Sequence, residues 1–402
     1  MKPSTPFFVG ARLTEAREAR GLSVAALAEV VDISRETIYQ LESGKIKPSP
    51  ALYNHLQSAL RMPAAYFFDP VADEESSGQV LFRSLASTAK TDRLRAKQRL
   101  RWLERVTVFL QASLDLPAFD IPDFGFSSDP TKIDDEMIEA ASIDLRARWK
   151  LGIGPIGNMA WLLENHGIIV AREDLIAVGL DAAFMRKGDR TFVMLGSDKG
   201  ALVRSRMDAA HELGHVVIHM HCAEPANEKD PLHKLMEQQA FRFAGAFLLP
   251  AEGFSQDVWA GTIDEFLALK PKWQVAVSAM MMRARHLELI SEAQIDRLWR
   301  LYNGRVRRWR YGEPFDDQWI PEQPLLLRRS FELLLSERVV SVDNILSEIR
   351  LSPTDIEDLA GLPRGTLSDG TTPIAFRQGA PGRERVEDNI VPFDRVSKPR
   401  SV

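Results

Sequence analysis

Met207–His221 reads M-D-A-A-H-E-L-G-H-V-V-I-H-M-H, and its centre is the spacing H-E-x-x-H formed by His211, Glu212 and His215. Residues i and i+4 of an α-helix project from nearly the same face, one turn apart. Two imidazoles so placed can hold one Zn²⁺, and the carboxylate beside them can take a proton from a water molecule. The flanks suit a helix: Ala209, Ala210 and Leu213 are good helix formers, and Val216, Val217 and Ile218 supply apolar contacts. Five of the 8 histidines fall between His211 and His233. That clustering favours a metal site over an ordinary helix with two surface or core histidines.

A catalytic zinc site usually takes a third protein ligand and keeps one position for water. His219, His221, His233 and Glu237 are the candidates. His221 stands where the metzincin pattern H-E-x-x-H-x-x-G-x-x-H has its third histidine, but that pattern turns the chain on a glycine and this sequence has Ile218. A β-branched residue does not easily take φ > 0, so the metzincin reading is rejected. Glu237 fits better. It opens E-Q-Q-A-F-R-F-A-G-A-F-L-L-P, a helical segment stopped by Pro250, and shares a face with Ala240, Phe241, Ala244 and Leu248. A carboxylate on an apolar face must find a partner, either a metal or an Arg or Lys.

A-A-H-E-L-G-H-V-V-I-H followed by E-Q-Q-A-F-R-F-A-G-A-F-L-L-P resembles the ImmA/IrrE zinc metallopeptidases. The likeness extends upstream through Arg148–Gly152, Gly154-Pro155-Ile156 and Leu163–Ile168, and covers about residues 135–290. It implies a zincin-like fold with His211, His215 and Glu237 as zinc ligands and Glu212 as catalytic acid/base. It also implies a protein substrate, a DNA-binding repressor whose cleavage switches on stress or mobile-element genes. Phe241 departs from the family pattern, which often has Asn there. A zincin adds its substrate as an extra strand along a sheet edge, and 167–171 and 190–195 look like strands.

The remainder of the chain bounds the class. With 402 residues, 45% hydrophobic and 27% charged, the sequence suits a soluble protein of two or three domains. A net charge of −5 argues against a chain that coats nucleic acid, though not against a local DNA-reading module. The single cysteine, Cys222, excludes an internal disulfide and suits the cytoplasm, and its thiol reads as packed and inert. No leader pattern and no run of ~18 apolar residues is present, so no membrane span is expected.

Residues 8–70 read as a compact helical unit. A first helix runs about 10–20, Ser23 caps a second, Asp32-Ile33-Ser34 turns the chain, and a third helix spans 34–42. Leu52, Leu56 and Leu60 mark a further helix. Two short helices joined by a tight turn form the helix-turn-helix rhythm. D-I-S-R-E-T-I-Y-Q-L-E-S-G-K-I-K-P-S resembles the Cro/C1 (XRE) repressors. That resemblance puts Arg35, Glu36 and Gln40 where base edges are read, and Ser34, Thr37, Lys45 and Lys47 where phosphates are gripped. The chemistry agrees, since Arg suits G, Gln suits A and Glu accepts from C. The partner implied is a double-stranded DNA operator. Whether two chains pair on it is left open.

The expected architecture is α+β and mostly helical: a five-helix Cro/C1-type domain at 8–70, a linker with a basic helix at 71–130, a zincin-like domain with a small sheet at 131–292, a helical region at 293–370 and a disordered tail at 371–402. The eight basic residues from Arg83 to Arg105 suggest either a DNA-backbone grip or, preferred here, a solvated face on a connector helix. Trp299, Tyr302, Val306 and Trp309 fit one packed helix face among solvated arginines. Two rival functions stand beside the peptidase reading. One is a regulator whose zinc-site domain senses a ligand or partner without catalysis. The other is an antitoxin-like repressor acting through DNA alone. Glu212 beside both histidines favours an enzyme, because a structural zinc site needs no base.

Overall fold

A computed structural model describes residues 7–70, 79–82, 90–173, 182–197, 201–223, 230–309 and 312–368. The linker at 71–78, Arg83 and the tail from 369 lie outside the described residues. Four helices open the chain: α1 (Gly10–Ala19), α2 (Val24–Val30), α3 (Arg35–Glu42) and α4 (Pro50–Leu60). A 3-10 turn at Ala64–Phe68 completes the five expected helical segments. Ser23, Ser34 and Ser49 each accept a backbone N–H and cap the helix that follows. Asp32, at φ 54°, makes the turn between α2 and α3. A Cβ on Gly10 would lie 2.2 Å from the Leu41 carbonyl oxygen, so glycine is what lets α1 meet the end of α3.

The next helix, α5 (Lys90–Gln111), corrects the solvated-connector reading. Ala96, Leu100, Trp102, Leu103, Val106 and Leu110 are buried along it, and so is Arg99. Part of its charge lies inside the protein, while Lys90 is exposed and Lys97 and Arg101 are half-buried. The Arg99 guanidinium pairs with Glu173, and its Nη1 donates to Asp355 at 2.5 Å. Arg20 at the end of α1 donates twice to the same Asp355 carboxylate at 2.6 Å. Arg105 and Arg350 both pair with Asp69. The amino-terminal helices are thereby tied to α5 and to the carboxy-terminal helices.

Beyond α6 (Asp135–Arg148) and α7 (Met159–Asn165) lies a four-stranded sheet. It is built from β1 (Gln79–Phe82), β2 (Ile168–Glu173), β3 (Ala182–Lys187) and β4 (Arg190–Gly196) in the order β1-β3-β4-β2. β2 runs parallel to β4, while β3 is antiparallel to both β4 and β1. The strands expected at 167–171 and 190–195 are β2 and β4. β1 and β3 carry no comparable β-branched run and were not anticipated.

Side chains alternate across a strand, and here the two faces enter two different cores. Ile169, Ala171, Ala183, Met185, Phe192 and Met194 pack with α1–α5 and with α14 (Leu326–Ser336), α15 (Val342–Ile349) and α16 (Pro353–Ala360). Ile168, Val170, Ala182, Phe184, Val193 and Leu195 pack with the helices that bear the candidate site. Those are α8 (Leu202–Ile218) and α9 (Pro231–Leu248), backed by α10 (Ala251–Asp257), α11 (Ile263–Trp273), α12 (Val277–His286) and α13 (Glu292–Val306). On α13, Trp299 and Tyr302 lie against this second core while Arg297 and Arg300 are exposed, but Val306 is exposed and Trp309 lies beyond the helix end, so the packed face is shorter than the spacing suggests. No helix among the described residues is long and apolar enough to cross a membrane.

Candidate metal centre and DNA-reading surface

His211 and His215 stand one turn apart on α8, and Glu237 reaches them from α9. His215 Nε2 lies 3.1 Å from His211 Nε2. The Glu237 carboxylate oxygens lie 3.4 Å from His211 Nε2 and 3.2 Å from His215 Nε2. The three side chains can hold a metal ion, since one ligand atom from each lies within 4.8 Å of the others. Zinc with ligands at about 2.0–2.2 Å sets tetrahedral vertices roughly 3.3–3.6 Å apart, close to this triangle, and leaves a fourth vertex open.

The two helices approach closely at Gly214, between the histidines. A Cβ there would sit 3.0 Å from the Ala240 carbonyl oxygen and 3.1 Å from its Cα. Glycine at the fourth position of H-E-L-G-H thus brings Glu237 within reach. α9 begins at Pro231, six residues ahead of Glu237, so the carboxylate sits in mid-helix and not at its opening. Aromatic rings steady the imidazoles: Phe184 of β3 stacks on His215 with centroids 6.0 Å apart, and Phe241 lies 4.3 Å from the His211 ring. Phe241, the departure from the family pattern, therefore borders the site. Glu212 is fully buried.

Behind His215 lies a third buried histidine. His219 Nδ1 is 3.0 Å from His215 Nδ1, and His219 Nε2 is 3.0 Å from Gln239 Oε1. Burial, together with the adjacent His215, pushes the His219 imidazole down to about 3. His221 lies elsewhere, exposed and 2.9 Å from Asp123, which agrees with rejecting the metzincin pattern. His233 sits in the first turn of α9. The Cys222 thiol is buried and its pKa is raised by that burial, as expected of an inert thiol.

The outer edge of β3, the strand whose Phe184 stacks on His215, already carries this chain's own β1, with Leu81 in register with Phe184. A substrate strand added at that edge would have to replace β1. A cleft of about 1390 Å³ is lined by Met207, Asp208, Phe241, Trp299 and Trp319 among others, and none of the three candidate ligands lines it.

On α3, Ile38 and Leu41 face inward as expected, and Arg35, Glu36 and Tyr39 are exposed. Gln40 is half-buried, and its amide donates to Glu36 at 3.2 Å. Ser34 accepts the Thr37 N–H at 3.1 Å as the helix cap, so its hydroxyl already has a structural partner. Lys45 and Lys47 are exposed, with the Lys47 ammonium 4.1 Å from the Phe7 ring. Tyr39, 55% exposed, joins this outer face and was not singled out in the sequence. Its signal was the spacing from Glu36, one helical turn away. The contacts of Arg20 and Asp69 involve none of these side chains.

Comparison with known proteins agrees with both halves. Residues 9–65 match the family model described as a helix-turn-helix domain, and residues 163–285 match the peptidase-family model described as the IrrE N-terminal-like domain. The chain carries both domains. A protein of Methanocaldococcus jannaschii, named as an HTH-type transcriptional regulator, is 40% identical over 75 residues, 17% of this chain. The chain spans about a quarter of that relative's length, the matched share being 24%. The helix-turn-helix model covers α1–α4 and the IrrE-type model covers β2–β4, α8 and α9. A helix-turn-helix match and an IrrE-type match thus meet in one polypeptide.

Proposed function

We propose that this chain is a cytoplasmic transcriptional regulator whose IrrE-type domain is a zinc-dependent metallo-endopeptidase acting on a repressor-type protein, in a stress or mobile-element response. The convergence of His211, His215 and Glu237, with Glu212 between the two histidines in sequence, carries this reading. Zinc held there would supply Lewis acidity, polarising the scissile carbonyl and making a water acidic enough to react near neutral pH. The Glu212 carboxylate takes the proton of the attacking water and returns it to the leaving amine. In the amino-terminal unit at 8–70, Arg35, Glu36 and Gln40 read base edges while Ser34, Thr37, Lys45 and Lys47 contact phosphates. Two chains would pair on a two-fold operator. A peptidase unit at 131–292 would act beside it.

The test is to incubate the purified chain with repressor-like proteins from its own cell, with zinc or with a chelator. The expected result is a single discrete cut that the chelator abolishes. Zinc-loaded chain that binds DNA yet cuts none of them would replace the enzyme with a sensor.

A further inference from the structure

We infer that His219, braced by Gln239, is a positioning residue that holds the His215 proton on Nδ1 and so presents the Nε2 lone pair to the metal. The inference rests on the zinc reading above and adds residues to it that the motif does not contain.

The direction of each hydrogen bond follows from an anchor in the backbone. The Gln239 amide nitrogen donates to the carbonyl oxygens of Pro130 and Ile133, both at 2.8 Å. Turning the amide over would set its oxygen against two carbonyl oxygens, so its orientation is fixed. Gln239 Oε1 is then an acceptor, and its partner His219 Nε2, 3.0 Å away, must carry a proton. His219 is 2% exposed, and the partners of its two ring nitrogens are an amide and an imidazole. A second proton on that ring would be a buried charge whose hydrogen-bond partners are an amide oxygen and an imidazole, which is costly. His219 Nδ1 is therefore bare and accepts from His215 Nδ1, 3.0 Å away. His215 then keeps its proton on Nδ1, and its Nε2 turns its electron pair toward His211 and Glu237.

The chain Pro130/Ile133–Gln239–His219–His215 thus does what a carboxylate or carbonyl does behind many metal-bound histidines: it fixes the tautomer and the ring plane. Its anchor is the 3-10 turn at Pro130–Lys132, ahead of the matched IrrE-type region.

Two variants separate hydrogen bonding from packing. His219→Phe keeps the ring but removes the acceptor. His219→Asn loses volume but places an amide oxygen near the Nδ1 position. Zinc affinity, measured by chelator competition, should weaken about 10–100-fold in His219→Phe and stay near wild type in His219→Asn. The reverse order would show that His219 only fills space and would overturn the inference. Nitrogen-15 spectra of the metal-free chain give a readout that needs no zinc. They should show the His215 proton on Nδ1 in wild type and a loss of that preference in His219→Phe. A wild-type proton confined to Nε2 would overturn the inference directly. A wild type with the Nδ1 proton but no zinc uptake would support the positioning chain and overturn the metallopeptidase reading instead.

Discussion

Glu212→Gln should retain zinc and operator affinity while cleavage of a repressor substrate falls by ~10²-fold or more, the scale of a lost general acid/base. The residue lies between two candidate ligands yet is not one of the three atoms that converge on the metal position. It is fully buried on α8, so a side chain of nearly the same shape preserves the packing around it. What the amide loses is the ability to take a proton from the attacking water. DNA affinity is expected to survive because the outer face of α3 is separate from this site. Bound zinc, cleavage and operator affinity are measured on one preparation. Undiminished cleavage would assign the base to another group.

The second large effect lies outside both functional surfaces. Asp355→Ala removes the carboxylate shared by Arg20 and Arg99 and leaves buried Arg99 with Glu173 alone. Removing one partner of a buried ion pair costs about 3–5 kcal/mol, because the remaining charge cannot return to water. The pH profile carries a second signature. Burial alone would raise the Asp355 carboxyl, but the Arg20 hydrogen bond and the charges of Arg99 and Arg20 outweigh it and bring it down to about 2. A carboxyl lowered on folding contributes stability above its unfolded pKa near 4 and loses that contribution as pH falls toward 2. Wild type should therefore shed this stability between about pH 4 and pH 2, and Asp355→Ala should lack that component. Thermal unfolding as a function of pH measures both. A midpoint unchanged by the substitution would mean that the network does not hold the amino-terminal helices to the rest.

Local chemistry made much of this site legible in the sequence. The i, i+4 histidines lie on one helix, and Glu237 lies on the inward side of the next helix. The caps Ser23 and Ser34 likewise set the helix-turn-helix from short-range signals. What escaped was long-range. The basic run on α5 looks solvated until Glu173 and Asp355 are brought to it from 74 and 256 residues away. β3, written A-A-F-M-R-K, has no β-branched residue, and its pairing with β1 and β4 decides its state. His219 looked like a bystander because its role depends on Gln239, and through it on two carbonyls that lie 109 and 106 residues upstream of Gln239. The shared core of α14–α16 with the amino-terminal helices is likewise a contact between the two ends of the chain.

The most direct test of the central claim is the zinc content of purified wild type beside His211→Ala, Glu237→Ala and His221→Ala. One zinc per chain is expected in wild type and in His221→Ala, whose side chain pairs with Asp123 away from the site. His211→Ala and Glu237→Ala should lose most of it. Zinc retained in Glu237→Ala but lost in His221→Ala would contradict the His211–His215–Glu237 centre.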